Sequence, residues 1–106
     1  MALKATLLTD SNQDITNAIG AGEQIGSAVI MFCNYTPSTS ATLDVWLVPS
    51  GGSADNSNKI VNGKALPGGE TFVLALEKVV LGEGEKIVAK ASVNSVLNAV
   101  ISYLGL

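Results

Sequence analysis

The feature that most constrains the fold of this sequence is a series of short apolar runs rich in β-branched residues. Each run is roughly four to eight residues long, and clusters of Gly, Pro, Asn and Ser separate one run from the next. Such runs are typical of all-β sandwiches and barrels. We therefore predict an all-β fold, a single compact antiparallel β-sandwich of about eight short strands. The predicted strands are residues 4–9, 14–18, 26–35, 42–49, 58–65, 70–76, 85–93 and 96–104.

The closing segment, residues 91–106, is the one part of the chain whose apolar spacing would also suit a helix. Its β-branched run from Ala99 to Leu104 favours a strand instead. Because this strand is the last in the chain, we expect its edge to be exposed or paired with a partner.

The chain has more apolar surface than a domain of its size can bury. Its 106 residues fit one domain, residues 1–106, but only 14% of them are charged and the mean hydropathy is +0.39. An ordinary soluble domain has about 25% charged residues. The run AVIMFC at residues 28–33 is apolar on both faces of its strand, so it needs a second layer. We expect neighbouring subunits to supply it, which makes the protein a homo-oligomer.

Charge and cysteine content exclude several classes of partner and compartment. The net charge is −3, and six lysines without an arginine form no basic cluster for a phosphate backbone, so we expect no nucleic acid partner. No apolar run approaches the roughly 18 residues of a membrane span, so we expect no membrane partner. Cys33 is the only cysteine, which excludes an internal disulfide and fits synthesis in a reducing cytoplasm.

The sequence lacks the usual parts of an active site. It contains no histidine, so it can form neither a Ser/His/Asp triad nor an imidazole metal site. The nine acidic residues are scattered over turns, where Glu83 and Glu85, for example, flank a glycine. The segment ADNSNK at 54–59 lacks the central glycine and closing glutamate of a calcium loop. We expect no enzyme activity and no catalytic, metal-binding or cofactor-binding residues.

Residues 50–58 form the longest run of small and polar residues and could be either a ligand-binding loop or an exposed bend between strands. They offer no histidine, no cation and no helix start for a phosphate, which favours the bend. Whether the tip touches a partner stays open, and its candidate contact residues are Asp55, Asn56 and Asn58.

The aromatic residues are the other candidate contacts, because large aromatic side chains contribute disproportionately to interface energy. Trp46 lies on the mixed face of the strand TLDVWLVP and is either a lid over the edge of the core or part of an intersubunit contact. The candidate contacts Phe32, Tyr35 and Tyr103 could equally be core residues.

The order of motifs between residues 29 and 104 resembles the small virion structural proteins of tailed bacteriophages. In that family a strand ending in an Asn precedes a polar turn, then a V-x-L-V-P-S-G-G strand and loop, and a V-x-S-Y-L strand closes the domain. The resemblance covers about three quarters of the chain. The matching residues are Asn34, 45–52, 60–63, 81–92 and 100–104.

The resemblance implies a β-sandwich present in several copies on a virus particle, with no catalytic residue to carry over. The expected function is a capsid decoration, or cement, protein that binds the outer shell as an oligomer, expected to be a trimer, and stabilises it. Its partners would be copies of itself and the major capsid protein or neighbouring virion proteins, and its location the virion. The alternative is a neck or tail-fibre module that binds another tail protein or a host-surface glycan, with Trp46 beside loop 50–58 as the sugar-binding grouping. Residues 1–20 lie outside the shared motifs and could form an N-terminal arm or an added strand.

Overall fold

The computed structural model describes residues 2–16, 19–76 and 78–105, and it is an antiparallel β-sandwich. No helix occurs among these residues, so the predicted all-β class is confirmed. The predicted number of about eight strands is also confirmed. The strands are β1 Ala2–Leu7, β2 Gln13–Asp14, β3 Ile25–Asn34, β4 Ala41–Val48, β5 Lys59–Leu66, β6 Thr71–Leu76, β7 Lys86–Ala91 and β8 Leu97–Gly105.

The strands form two four-stranded sheets. Sheet A has the order β1-β8-β3-β6, and sheet B has the order β2-β7-β4-β5. All pairings are antiparallel. The chain crosses between the sheets at every connection except the β4–β5 hairpin. This interleaving of strands is the arrangement of an eight-stranded jelly roll, in which sequence neighbours lie on opposite layers.

Two details of the strand prediction differ from the structure. The last strand, β8, is not an edge strand, because it lies between β1 and β3 and is hydrogen-bonded on both sides. The predicted strand 14–18 is reduced to Gln13–Asp14, paired with β7, and its residues 17 and 18 lie outside the described residues. The first part of the chain contributes β1 to the edge of sheet A, paired with β8 along its length.

The core lies between the two sheets and follows the alternation of side chains along each strand. Every second residue of the central strands faces inward, and the rings of Phe32 and Phe72 stack there with centroids 6.3 Å apart. Burying each large aliphatic or aromatic side chain contributes about 1.5–3 kcal/mol. The fully buried aliphatic residues of this core include Leu8, Ile15, Ile30, Leu43, Val45, Ile87, Leu97 and Ile101.

Local sequence explains the turn that leads from sheet B to sheet A. Pro67 ends β5 because it cannot donate a ladder hydrogen bond, and Gly69 takes a φ of 82° that other residues rarely adopt. The turn closes when the Glu70 N–H donates to the Pro67 carbonyl at 3.2 Å. β6 therefore starts one residue later, at the free edge of sheet A.

Candidate interaction face

The outward side of sheet A carries a continuous layer of apolar side chains. The strand registers place its residues in three rows across the four strands β1, β8, β3 and β6. We call these twelve residues the outer face of sheet A. The rows are Leu3, Ser102, Val29 and Ala75; Ala5, Val100, Met31 and Val73; and Leu7, Asn98, Cys33 and Thr71.

The outer face of sheet A contains no charged residue, and nine of its twelve side chains are apolar. Several of them are open to solvent in the single chain: Leu3 is 73% exposed, Val73 56% and Leu7 50%. Scattered apolar residues on a surface are ordinary, but a contiguous layer is typical of an interaction site. The strand predicted to be apolar on both faces is β3, and its outward residues are part of this larger apolar face.

The outward side of sheet B has the opposite character. Lys59 Nζ lies 3.3 Å from Asp44 Oδ1, and Lys86 Nζ lies 3.4 Å from Asp14 Oδ1. The Asp44 carboxylate also accepts the Gly63 N–H at 2.8 Å. Partly exposed ion pairs of this kind belong to a surface that faces water. The outer face of sheet A is thus suited to an apolar partner, whereas the outward side of sheet B is suited to water.

Trp46 lies on the outward side of sheet B under a loop and is only 7% exposed. It packs with Val48 and Val88 in a small second cluster, which Ala54 of loop 50–58 contacts from the outside. Lys59 Nζ lies 5.1 Å from the centre of the indole ring. The indole is thus buried within the single chain, in a cluster separate from the main core. A buried indole offers no open ring face on which a sugar could stack.

Polar groups of loop 50–58 form hydrogen bonds with one another. The Asp55 carboxylate accepts hydrogen bonds from the Ser57 N–H at 2.8 Å and from the Ser57 hydroxyl. The Asn58 amide donates to the Ser53 carbonyl at 2.9 Å and accepts the Asp55 N–H at 3.2 Å. The Ser57 hydroxyl, with a smaller contribution from the backbone N–H, lowers the pKa of Asp55 below its ordinary value. This is the geometry of a self-contained bend, and Asn56 alone of the candidate tip residues stands outside the network.

The remaining candidate contacts are spread over the molecule. Phe32 is fully buried in the core, so it has no surface to offer a partner in this fold. Tyr35, just after β3, is 49% exposed. Tyr103 is half-buried and lines an open cleft of about 210 Å³ with Lys4 and Glu23 among its walls. The structure does not bring these aromatic residues together, and none of them belongs to the outer face of sheet A.

In the described part of the chain no three Cys, Asp or Glu side chains come close enough to hold a metal ion. Among residues 2–16, 19–76 and 78–105 there is also no helix that could cross a bilayer. No protein-family model and no curated protein matches the chain. The outer face of sheet A is therefore the strongest candidate site. The sequence alone did not single out the residues that β1, β6 and β8 contribute to it.

Proposed function

We propose that this chain is a non-enzymatic structural component of a tailed-phage virion. Its role would be that of a capsid decoration protein, which binds the outer shell as an oligomer and stabilises it. The observation that carries the proposal is the charge-free outer face of sheet A. A contiguous apolar surface of this kind is typical of a protein that binds a partner rather than of a monomer in water. The resemblance of the motifs to phage virion proteins supplies the biological setting.

The size of the face supports binding through many copies. Strands about 4.8 Å apart and rows about 7 Å apart give it an area of roughly 400 Å². At about 25 cal/mol per Å², covering it yields about 10 kcal/mol before costs. Association itself costs about 4–15 kcal/mol, so a single such contact is weak. Repetition of the contact on a lattice raises the total strength, and binding to the assembled shell alone stabilises that shell by mass action.

The strand faces and the loops would have different contacts in this proposal. Apolar strand faces would bury against sister subunits, while polar loops such as 50–58 would meet the shell. The jelly-roll arrangement occurs in viral capsid domains and also in lectins, so the fold agrees with the proposal without selecting it. The residues of the phage-like motifs lie in β3, β4, β5, β7 and β8 and the turns beside them, where they build the two sheets.

The proposal is tested first by a count of copies in purified virions of the phage that encodes the chain. A copy number comparable to that of the major capsid protein supports a decoration protein. A few copies per particle would place the chain in the neck or tail, which is the alternative assignment. Complete absence from virions would refute both. Trp46, the residue expected to stack on a sugar in the tail-module alternative, is only 7% exposed and lies against Ala54 of loop 50–58.

The role of the face itself is tested by Met31→Lys, which puts a charge in its middle row. The matched control is Thr42→Lys, which puts the same charge on the exposed side of sheet B. A buried, unpaired charge costs about 3–5 kcal/mol, so Met31→Lys should weaken oligomer or shell binding by about 10²–10³-fold. Thr42→Lys should bind like the unchanged protein. Equal binding by both variants would refute the proposed contact, provided that both melt cooperatively.

A further inference from the structure

The edge of β6 is the least protected edge of the sandwich. Natural sheets block their free edges with short strands, lysines, bulges or inward-pointing charges. β2 is two residues long, and β1 has the half-buried Lys4 on its inward side. β5 has Lys59 and Lys64, with register shifts along its pairing to β4. β6, with the sequence TFVLAL, has none of these devices.

The hydrogen-bond pattern shows which backbone groups β6 leaves open. The Asn34 N–H donates to the Glu70 carbonyl at 2.9 Å, in the same register that pairs β3 with β6. Bonded and non-bonded pairs alternate along an antiparallel ladder, so the even-numbered residues of β6 bond to β3. The N–H and C=O groups of Thr71, Val73 and Ala75 therefore point toward the free edge. Their side chains form the last column of the outer face of sheet A.

We propose that β6 pairs antiparallel with β6 of a second copy of this chain about a two-fold axis at Val73. Val73 then lies opposite Val73 of the second copy, and Thr71 lies opposite Ala75. The open groups form about six hydrogen bonds across the axis. The result is one continuous eight-stranded sheet made of two copies of sheet A.

Two observations favour a second copy as the occupant. A two-fold contact brings each surface against itself, so any charge near the axis would meet its own like charge. β6 and the neighbouring outer face are free of charge although the chain carries a net −3, so the surfaces can meet without repulsion. Lys64 of β5 has its Nζ 5.6 Å from the ring of Phe72, a residue on the inner side of β6.

The second observation is one of size. The outer face of a single chain, roughly 400 Å², is about half of the roughly 800 Å² that each partner contributes to a standard stable interface. Edge pairing joins two such faces into one surface of about 800 Å². The pairing thus deepens the proposed function, on which this step rests, because it gives the uncovered face the area it needs to bind sister subunits or the shell.

Cysteine cross-linking tests the two-fold axis directly. In a Cys33→Ser background, Val73→Cys places two thiols on bonded-pair positions about 5.5 Å apart between Cα atoms, within the range that a disulfide bridges. Thr71→Cys is the matched control, since residue 71 is also exposed on the same strand but would lie about 14 Å from its own copy. Mild oxidation should give mostly covalent dimer for Val73→Cys and little for Thr71→Cys. Equal cross-linking of both variants, or none of either, overturns the pairing.

Light scattering separates this inference from the proposed function. Val73→Pro removes an N–H that points away from β3, so the single chain should tolerate it, whereas Val73→Ala shortens the side chain and keeps the N–H. Val73→Pro should abolish the dimer and Val73→Ala should retain it. If an oligomer, including a trimer, persists in Val73→Pro, the pairing is refuted. In that case a loss of oligomer or shell binding in Met31→Lys would still support the outer face of sheet A as a contact. A dimer lost only in Val73→Pro supports the pairing even if the chain is absent from virions.

Discussion

The buried amide of Asn34 gives a sharp test of how the sandwich is held together. This side chain is fully buried at the end of β3. Its Nδ2 donates to the carbonyl oxygens of Thr39 at 2.7 Å and Leu66 at 2.8 Å. Its Oδ1 accepts from the N–H and the hydroxyl of Thr36 at 3.0 and 2.6 Å. One amide thus fastens the 35–40 turn to β3 in sheet A and to the end of β5 in sheet B.

Asn34→Asp keeps the shape of the side chain and removes both of its donors. Two hydrogen bonds worth about 1 kcal/mol each are lost, and the carbonyls left unpaired add about 1–3 kcal/mol. A carboxylate oxygen would also face two carbonyl oxygens less than 3 Å away. We expect a loss of about 3–5 kcal/mol in the free energy of unfolding, a large part of the roughly 5–15 kcal/mol of a typical domain. The melting temperature should fall by roughly 15–30 °C.

The same variant should be sensitive to pH in a defined direction. Burial and the neighbouring carbonyl oxygens raise the pKa of the introduced carboxyl above its unfolded value of about 3.9. The folded state therefore binds the proton more tightly than the unfolded state. The deficit relative to the unchanged protein should be smallest below about pH 4 and should grow as the pH rises through the folded-state pKa.

Urea unfolding followed by the fluorescence of Trp46, the only tryptophan, measures both effects. The protein concentration should be fixed, because association would change the apparent stability. Asn62→Asp is the matched control, since this exposed residue accepts a hydrogen bond from Lys59 Nζ at 2.9 Å that a carboxylate can also accept. It should change stability by less than about 0.5 kcal/mol. A small, pH-independent loss for Asn34→Asp would refute the reasoning.

Two further predictions concern the loops. Ser57→Ala removes the hydroxyl that does most to lower the pKa of Asp55, so NMR titration should show that pKa rising toward its ordinary value. The stabilisation linked to the depressed pKa is present above the unfolded pKa and is lost as pH falls, so the variant should lose less on acidification, and an unchanged pKa would contradict this. Gly84→Ala and Gly63→Ala both place a side chain at positive φ, 78° and 63°, at a cost of about 1–2 kcal/mol. Only at Gly84 would the new Cβ also collide with Ser50, so thermal melts should show the larger loss there, and equal losses would disprove the steric account.

The strands could be predicted from the sequence because their signals are local. Alternating apolar residues and the turn residues Pro67 and Gly69 fix where β6 begins, and the structure agrees to within one or two residues at most strand ends. The order of strands within a sheet depends on pairings between distant residues. For this reason the last strand was expected at an edge, whereas the jelly-roll topology places it at the centre of sheet A.

The interaction face could be predicted only in part. The run AVIMFC indicates that one strand has an apolar outward side, which the structure confirms for Met31 and its neighbours. The apolar residues Leu3 and Val73 lie far away in sequence and join that side only through the strand registers. The burial of Trp46 could not be predicted from the sequence either, because it depends on a loop that folds back and packs Ala54 against the cluster that contains Trp46.

The most direct test of the central claim is the reactivity of the Cys33 thiol, the only one in the chain, which lies in the outer face of sheet A. It is half-buried in the isolated sandwich, so dilute folded protein should react with a thiol reagent at a measurable rate. If neighbours cover this face, the rate should fall sharply in the concentrated protein or the purified virion and should recover on dilution or unfolding. A rate that stays the same in every folded state would show that the outer face of sheet A remains open to water.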